Sequence, residues 1–455
     1  MDWTIHKKLT EDPNSTLPTG EAECSVKDII FLKVPLRDIG NQLAFKIYRK
    51  KSHDGKLYDA KLENSKGSMQ LLKLIKEKIV RAQEEKTTVA VLAPWKEDKT
   101  LSKSEGYIRR IKEIDETVLK DFFCIYLYEC PYYQVNRPVV DLVSENRLYI
   151  RYNTDYLFQR QFVEHVIALC DWCYSHSVLR LIPAFHPEHE DRWLNVFQRD
   201  VKHILDLHGA TEEEALILGE TDCISYIRKA EGLYFRHIKY AISLTENMER
   251  YFSDKYQRSD IVYYRTPVIS QDIKNQETLV KSAQKPLIAV YSGGCQKWQN
   301  IQLMIKIIKR NLKNVEYHIF VSEPDKFRDI WGDEPVPENV IYKNGTPEEI
   351  ISVYRSAHIG FILRDDNNLN RVACPTKLME YLQFGIVPVV MFNDIGGMAE
   401  LGMKSISWET DLTETNNTAL ESFASDNFHI VNQLLQQNKD NIYNLVQLLQ
   451  KGIDS

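Results

Sequence analysis

The sequence predicts an α/β protein with two domains in tandem, each a sheet of parallel strands covered by helices, facing a central cleft. Two observations predict this. Short apolar runs alternate with longer amphipathic segments along most of the 455 residues. The alternation occurs twice, before and after a polar stretch at 271–285 that lacks periodicity. A third observation sets the class: the chain is 43% hydrophobic, enough for large cores. Yet no apolar run reaches the ~20 residues that a membrane span takes.

Residues 1–25 form an N-terminal extension, polar and acidic, without the apolar core of a signal peptide. The first domain is placed at 26–270, with strands in "IIFLKVPL", "TVAVLAPW", "FFCIYLYE", "RLYIRYN", "HILDLHG" and "YAISLT". Between them "SMQLLKLIKEKIVRAQ" reads as a helix, because Met69, Leu72, Ile75 and Ile79 recur at helical spacing. The polar stretch 271–285 is the linker. The second domain, 286–435, has strands in "PLIAVYS", "VEYHIFVS", "NVIYKNG", "HIGFILRD" and "IVPVVMF". Helices are expected near 298–311, 324–331, 347–356, 376–384 and 396–402. Residues 436–455, with "DNIYNLVQLLQKG", read as a final amphipathic helix returning to the first domain. In tandem sheets of this kind ligands bind beyond the carboxyl ends of the strands, so the site is expected in the cleft.

Composition excludes some functions. A formal net charge of -6 gives no reason to expect nucleic acid as a partner. The eight cysteines are scattered and several lie in apolar runs, which suits reduced, buried thiols in a cytoplasmic protein. "CDWC", Cys170 to Cys173, has redox spacing but stands at the end of a helical pattern. "HPEHED", His186 to Asp191, groups metal-ligand types without a second cluster, and reads as a solvated loop. No Asp-x-Asp stands at a strand end, so no metal is expected.

Two loops of the second domain carry chemistry. In "VYSGGCQKWQN" a strand ends in Ser292, Gly293 and Gly294, Lys297 follows, and a helix opens. Bare backbone, free N–H groups at a helix start and a cation suit a phosphate. A tight turn beside a surface lysine would look the same. In "ACPTKLMEYLQFGIVPVV" the helix begins at Pro375 and stops at Gly385. Thr376, Lys377 and Glu380 share one face at its start. An anion could sit on the helix start and Lys377, and Glu380 could accept from a pair of hydroxyls, the combination a ribose diphosphate presents. A capped, salt-bridged helix is the plainer reading. The loops follow the first and fourth strands of the domain and so meet at one sheet edge.

"SGGCQKWQN" followed by "PTKLMEYLQFGIVPVV" resembles the nucleotide-sugar-binding domain of glycosyltransferases with the GT-B fold, two Rossmann-like domains facing a central cleft. The resemblance is greatest to the retaining family 4 group and covers nearly all of 286–402. "HILDLHGATEEEALILG" with "YAISLTENMERYF" resembles the second half of that family's acceptor domain. The resemblance implies transfer of a sugar from a nucleotide-diphosphate sugar to an acceptor hydroxyl, in bacterial surface polysaccharide or glycoconjugate assembly. It implies His208, Lys297 and Glu380 as catalytic residues. It implies donor contacts from Gly293, Gly294, Lys297, Asn344, Gly345, Arg364, Pro375, Thr376, Lys377, Leu378 and Glu380, and an acceptor side of Gly40, Asn41, His208 and Gly209. No cofactor or metal is implied. In relatives of this kind a basic surface meets anionic membrane carrying a lipid-linked acceptor. "FKIYRKKSHDGK", read as a basic helix end around Arg49–Lys51, would serve for peripheral contact at the inner membrane face, or is simply a solvated helix face. The chain departs from the family at Val372, where a first glutamate usually stands. It also departs in a glycine loop reduced to Gly40 and Asn41, and in the absence of an arginine from "SGGCQ"; "RDDNNLNR", Arg364 to Arg371, offers substitute polar contacts. A nucleotide-sugar epimerase and a non-catalytic binding relative remain as alternatives.

Overall fold

A computed structural model describes residues 49–51, 57–59, 65–97, 106–129, 137–152, 157–177, 197, 201–267 and 286–451. The expectations placed on Gly40 and Asn41, on the strand at 29–36, on His186 to Asp191 and on the linker 271–285 lie outside the described residues.

The strands in chain order are β1 Arg49–Lys51, β2 Leu57–Asp59, β3 Thr88–Leu92, β4 Phe123–Glu129, β5 Val139–Ser144, β6 Arg147–Tyr152, β7 Trp172–Ser175, β8 Lys202–Asp206, β9 Tyr240–Ser243 and β10 Val262–Arg265. They continue with β11 Leu287–Gly293, β12 Val315–Val321, β13 Val340–Lys343, β14 Ile359–Ile362, β15 Val387–Val390 and β16 Ile406–Ser407. One sheet has the order β10-β9-β8-β7-β3-β4-β6-β5, the other β13-β12-β11-β14-β15-β16. The second is parallel throughout. In the first, β8-β7-β3-β4-β6 run parallel and β5 is an antiparallel edge.

The chain groups into two compact units: Met1–Leu207 with Thr221–Ala241 and Asn444–Ser455, and His208–Glu220 with Ile242–Tyr443. In the second unit β14 and β15 are buried along their whole length, as expected of central parallel strands covered on both faces. Helix Ile301–Arg310 buries Ile301, Met304, Ile305 and Ile308, the one-sided stripe of an amphipathic helix. Helix Pro347–Tyr354 starts on a capping box, in which Thr346 and Glu349 satisfy each other's backbone N–H; such caps contribute about 1 kcal/mol.

Several elements differ from the sequence reading. Arg49–Lys51 is not a helix end but a strand paired antiparallel with Leu57–Asp59; the Asp54–Gly55 dipeptide between them is a hairpin signal. Helix Leu157–Leu169 ends immediately before "CDWC", as read, but a strand not anticipated from the sequence, β7, opens at Trp172. Cys170 and Cys173 are free, buried thiols. Met69 is 52% exposed, and the buried stripe of helix Ser65–Gln83 runs through Ile75 and Ile79 instead. The helix expected at 396–402 is only a 3-10 turn, Ile395–Gly397. Gly396 and Gly397 adopt φ of 63° and 78°, left-handed values that end a helix, and a Cβ on Gly396 would stand 2.2 Å from the Ala373 carbonyl oxygen. The tail is one helix of 35 residues, Asn417–Lys451, unbroken at 435. Near its end the Leu449 carbonyl accepts the Trp172 indole N–H at 3.1 Å, within the first unit.

Candidate active site

In the second sheet β11 has β12 on one side and β14 on the other, so the winding direction reverses between β11 and β14. Ligands of open parallel sheets bind beyond the carboxyl ends of the strands at such a reversal. Gly293 ends β11 there with Gly294 next, Arg364 follows β14, and helix Thr376–Gln383 starts beside them.

That helix has Pro375 at its N-cap and no side-chain cap, and its first turn holds no acid. Its start therefore keeps the positive end of the backbone dipole. Lys377, half-buried, points its Nζ at the face of the Tyr291 ring, 3.8 Å from the centroid, and donates to Gln299 Oε1 at 3.3 Å. The ammonium lies so close to the β11 end that a Cβ on Gly293 would stand 2.7 Å from it and would push it aside. Burial holds Lys377 well below the ordinary lysine range, and the Arg364 guanidinium lowers it further; Glu380 acts in the opposite sense. Arg364 is lowered too, chiefly by burial, and donates to Asn370 Oδ1 at 3.1 Å. Two cations are thus crowded at one edge, an arrangement that a multiply charged anion would relieve.

Glu380, one turn into the helix, accepts from the Tyr354 hydroxyl at 3.2 Å, and that hydroxyl also pairs with Ser292 Oγ. Glu214, on helix Thr211–Leu218, is raised by burial and by Glu220, and lowered by Arg364. Asn300 sits at φ 50° and joins the two loops, donating to the Leu363 carbonyl and to Asp365 Oδ1, each at 3.0 Å.

The structure brings together Gly293, Gly294, Arg364, Thr376, Lys377 and Glu380. Lys297 lies in the 3-10 turn Lys297–Gln299, exposed, with its carbonyl accepting the Asn300 N–H at 3.3 Å. The Leu378 side chain is fully buried, and its N–H already donates to the Pro375 carbonyl, so it serves the core. Asn344 is exposed after β13, and Gly345 lies against the Phe320 ring. Val372 is buried and presents a carbonyl to the Thr245 hydroxyl at 2.8 Å, with no carboxylate at that position. Sequence reasoning missed Tyr291, Gln299, Asn300 and Tyr354, whereas Asn370 lies in the segment Arg364 to Arg371 that was expected to offer polar contacts. Only Asn300 left a signal, since asparagine tolerates positive φ at a helix start.

In the first unit Asp206, two residues before His208, is fully buried at the end of β8. Arg110 meets it through two N–H groups at 3.0 and 3.1 Å, and the Tyr174 hydroxyl donates to it at 2.5 Å. Burial alone would raise the Asp206 carboxyl, but Arg110 and His176 hold it far below the ordinary carboxylate range. His208 and Gly209 follow as a half-buried loop. Among the described residues no group of three His, Cys, Asp or Glu side chains is placed to hold a metal, and no helix is long and apolar enough to cross a membrane.

No protein-family model and no curated protein matches the chain. Solved structures do. WaaG, a glycosyltransferase involved in lipopolysaccharide biosynthesis, is 13% identical over 80% of this chain and 99% of its own, with a TM-score of 0.52. Anabaena HepE in complex with UDP-glucose is 11% identical over 79% of this chain and 99% of its own, with a TM-score of 0.50. At such identities the likeness shows the fold: the chain is an α/β protein of the two-domain, Rossmann-like GT-B type.

Proposed function

We propose that the protein transfers a glycosyl group from a nucleotide-diphosphate sugar to an acceptor hydroxyl, with retention of configuration, in surface polysaccharide or glycoconjugate assembly. The observation that carries the reading is the crowding of Lys377 and Arg364 against an uncapped helix start at the β11/β14 reversal, with Glu380 one turn on. The UDP-glucose held by HepE and the lipopolysaccharide role of WaaG support the class of donor and product.

As the bond between the anomeric carbon and the diphosphate oxygen breaks, negative charge grows on the diphosphate. Lys377, Arg364 and the backbone at Gly293, Gly294 and Thr376 are preorganised to receive it, which is worth more than the same contacts in water, and by the family resemblance the exposed Lys297 adds its charge. The acceptor oxygen bonds to the same carbon and its proton passes to the departing diphosphate, so no general base is assigned. By the family resemblance His208 touches the transferring sugar. Glu380 accepts from the pentose hydroxyls. Glu380→Ala is expected to weaken donor binding by roughly 10- to 100-fold with a smaller change in kcat. Titration of the donor against both proteins checks this, and equal affinities would remove Glu380 from the site.

The test is incubation with a panel of nucleotide-diphosphate sugars, with and without a chelator, the acceptor being offered in water or in anionic vesicles. The expected result is free nucleoside diphosphate and a glycosylated acceptor, undiminished by the chelator. Vesicles are expected to raise the rate through contact at Arg49–Lys51. An isomerised donor formed without acceptor would make the protein an epimerase. Donor binding without turnover would make it a binding protein, the reading that Val372 favours.

A further inference from the structure

We propose that two tyrosines preorganise the two halves of the donor site separately: Tyr354 fixes the Glu380 carboxylate that takes the pentose hydroxyls, and Tyr291 fixes the Lys377 ammonium that takes the diphosphate. The inference rests on the reading of the site as a nucleotide-sugar site.

Tyr354 ends helix Pro347–Tyr354 and is 1% exposed. Its ring is wedged edge-on between Tyr381 and Phe384, with centroids at 5.5 and 5.3 Å. The hydroxyl is held on one side by Ser292 Oγ, at the end of β11, and donates on the other to Glu380 Oε2. A carboxylate on a helix surface has several rotamers, and ordering it costs entropy on binding. A donor that is itself locked by packing removes part of that cost. One oxygen of Glu380 is thereby oriented before a ligand arrives, and the carboxylate retains acceptor capacity for hydroxyls.

Tyr291 does two things for the other half. Its ring face carries Lys377 Nζ, and its hydroxyl donates to the Gly294 carbonyl at 2.6 Å. Cation–π contact holds the ammonium without neutralising it. The bond to Gly294 ties down a carbonyl just after β11 that would otherwise be an unpaired acceptor beside the diphosphate. Both tyrosines are positioning residues, since each acts through a neighbour that touches the ligand.

The experiment uses calorimetry on the full chain with UDP, GDP, ADP and CDP, and then with the 2′,3′-dideoxy and monophosphate analogues of whichever binds. In the parent protein, removing the pentose hydroxyls is expected to weaken binding. In Tyr354→Phe, which keeps the ring and the packing, ribonucleotide affinity is expected to fall about tenfold while dideoxynucleotide affinity holds. Ser292→Ala is expected to show part of the same effect. In Tyr291→Leu the preference for diphosphate over monophosphate is expected to shrink about tenfold while the preference for ribose holds. Thermal melts of the ligand-free variants check folding, and Tyr291→Phe, which keeps the ring but not the bond to Gly294, serves if the leucine variant melts early. Equal losses for ribo and dideoxy ligands in Tyr354→Phe would overturn the proposal and make the tyrosine structural only. Failure of every nucleotide to bind the parent protein would overturn the nucleotide-sugar reading and this inference together.

Discussion

Lys377→Met is expected to lower kcat/KM for sugar transfer at least about a hundredfold, the loss of ~3 kcal/mol that follows removal of one preorganised donor at a developing charge. The same substitution is expected to stabilise the ligand-free protein at neutral pH. Lys377 is held well below the ordinary lysine value of 10.5 because burial and Arg364 disfavour its charged form. The unfolded chain therefore binds more protons than the folded one between the lowered value and 10.5. Stability contributed by this site rises with pH across that window, and the penalty is full below it. The gain from methionine should accordingly be largest at neutral pH or below and vanish as pH passes the ordinary lysine value. Melting curves at pH ~7 and pH ~10.5 for both proteins read this directly. A variant that transfers normally, or that melts lower than the parent at neutral pH, would mean that Lys377 is a structural cation.

Asp206→Ala is expected to give the largest loss of stability, about 3 kcal/mol, because it takes the two-point carboxylate from the buried Arg110 and leaves it only Glu113 at 3.4 Å. Both side chains are 0% exposed, so the guanidinium loses its partner away from bulk solvent. The sign with pH follows from the depressed Asp206 carboxyl. Its contribution is present above the ordinary carboxylate value of 3.8 and is lost as pH falls towards the lower folded value. Urea unfolding followed on the first unit at pH ~7 checks the magnitude. A loss under ~1 kcal/mol would show the pair to be no more than a surface-type ion pair.

Most of the second sheet was legible in the sequence because each strand is a short apolar run bounded by helix-length amphipathic segments. Helix Pro324–Trp331 was expected at those bounds, since Pro324 starts it and Gly332 ends it. The first sheet was less legible. β5 is an edge with Leu142 61% exposed, and its weak alternation gives no clear signal. Only two residues separate β7 from helix Leu157–Leu169, with no turn signal between them, and no position of β10 is fully buried, so neither stands out as a separate apolar run. Lys377 and Glu380 were legible because charged groups stood on a helix that otherwise packs into a core. Tyr291 and Tyr354 were not, because a tyrosine in an apolar run looks like any core aromatic. What distinguishes them is where each hydroxyl lands, across 3 to 62 residues of sequence separation. Lys297 stood out in the sequence as the cation of its loop, but Lys377 is the one that the fold draws against β11.

The most direct measurement is a crystal structure of the protein with a bound nucleoside diphosphate. The diphosphate is expected at the carboxyl edge of β11 and β14, within hydrogen-bond reach of Lys377 Nζ and the Thr376 N–H, with the pentose hydroxyls on Glu380. A diphosphate seated anywhere else, or one bound there without contact to Lys377 or Glu380, would contradict the account.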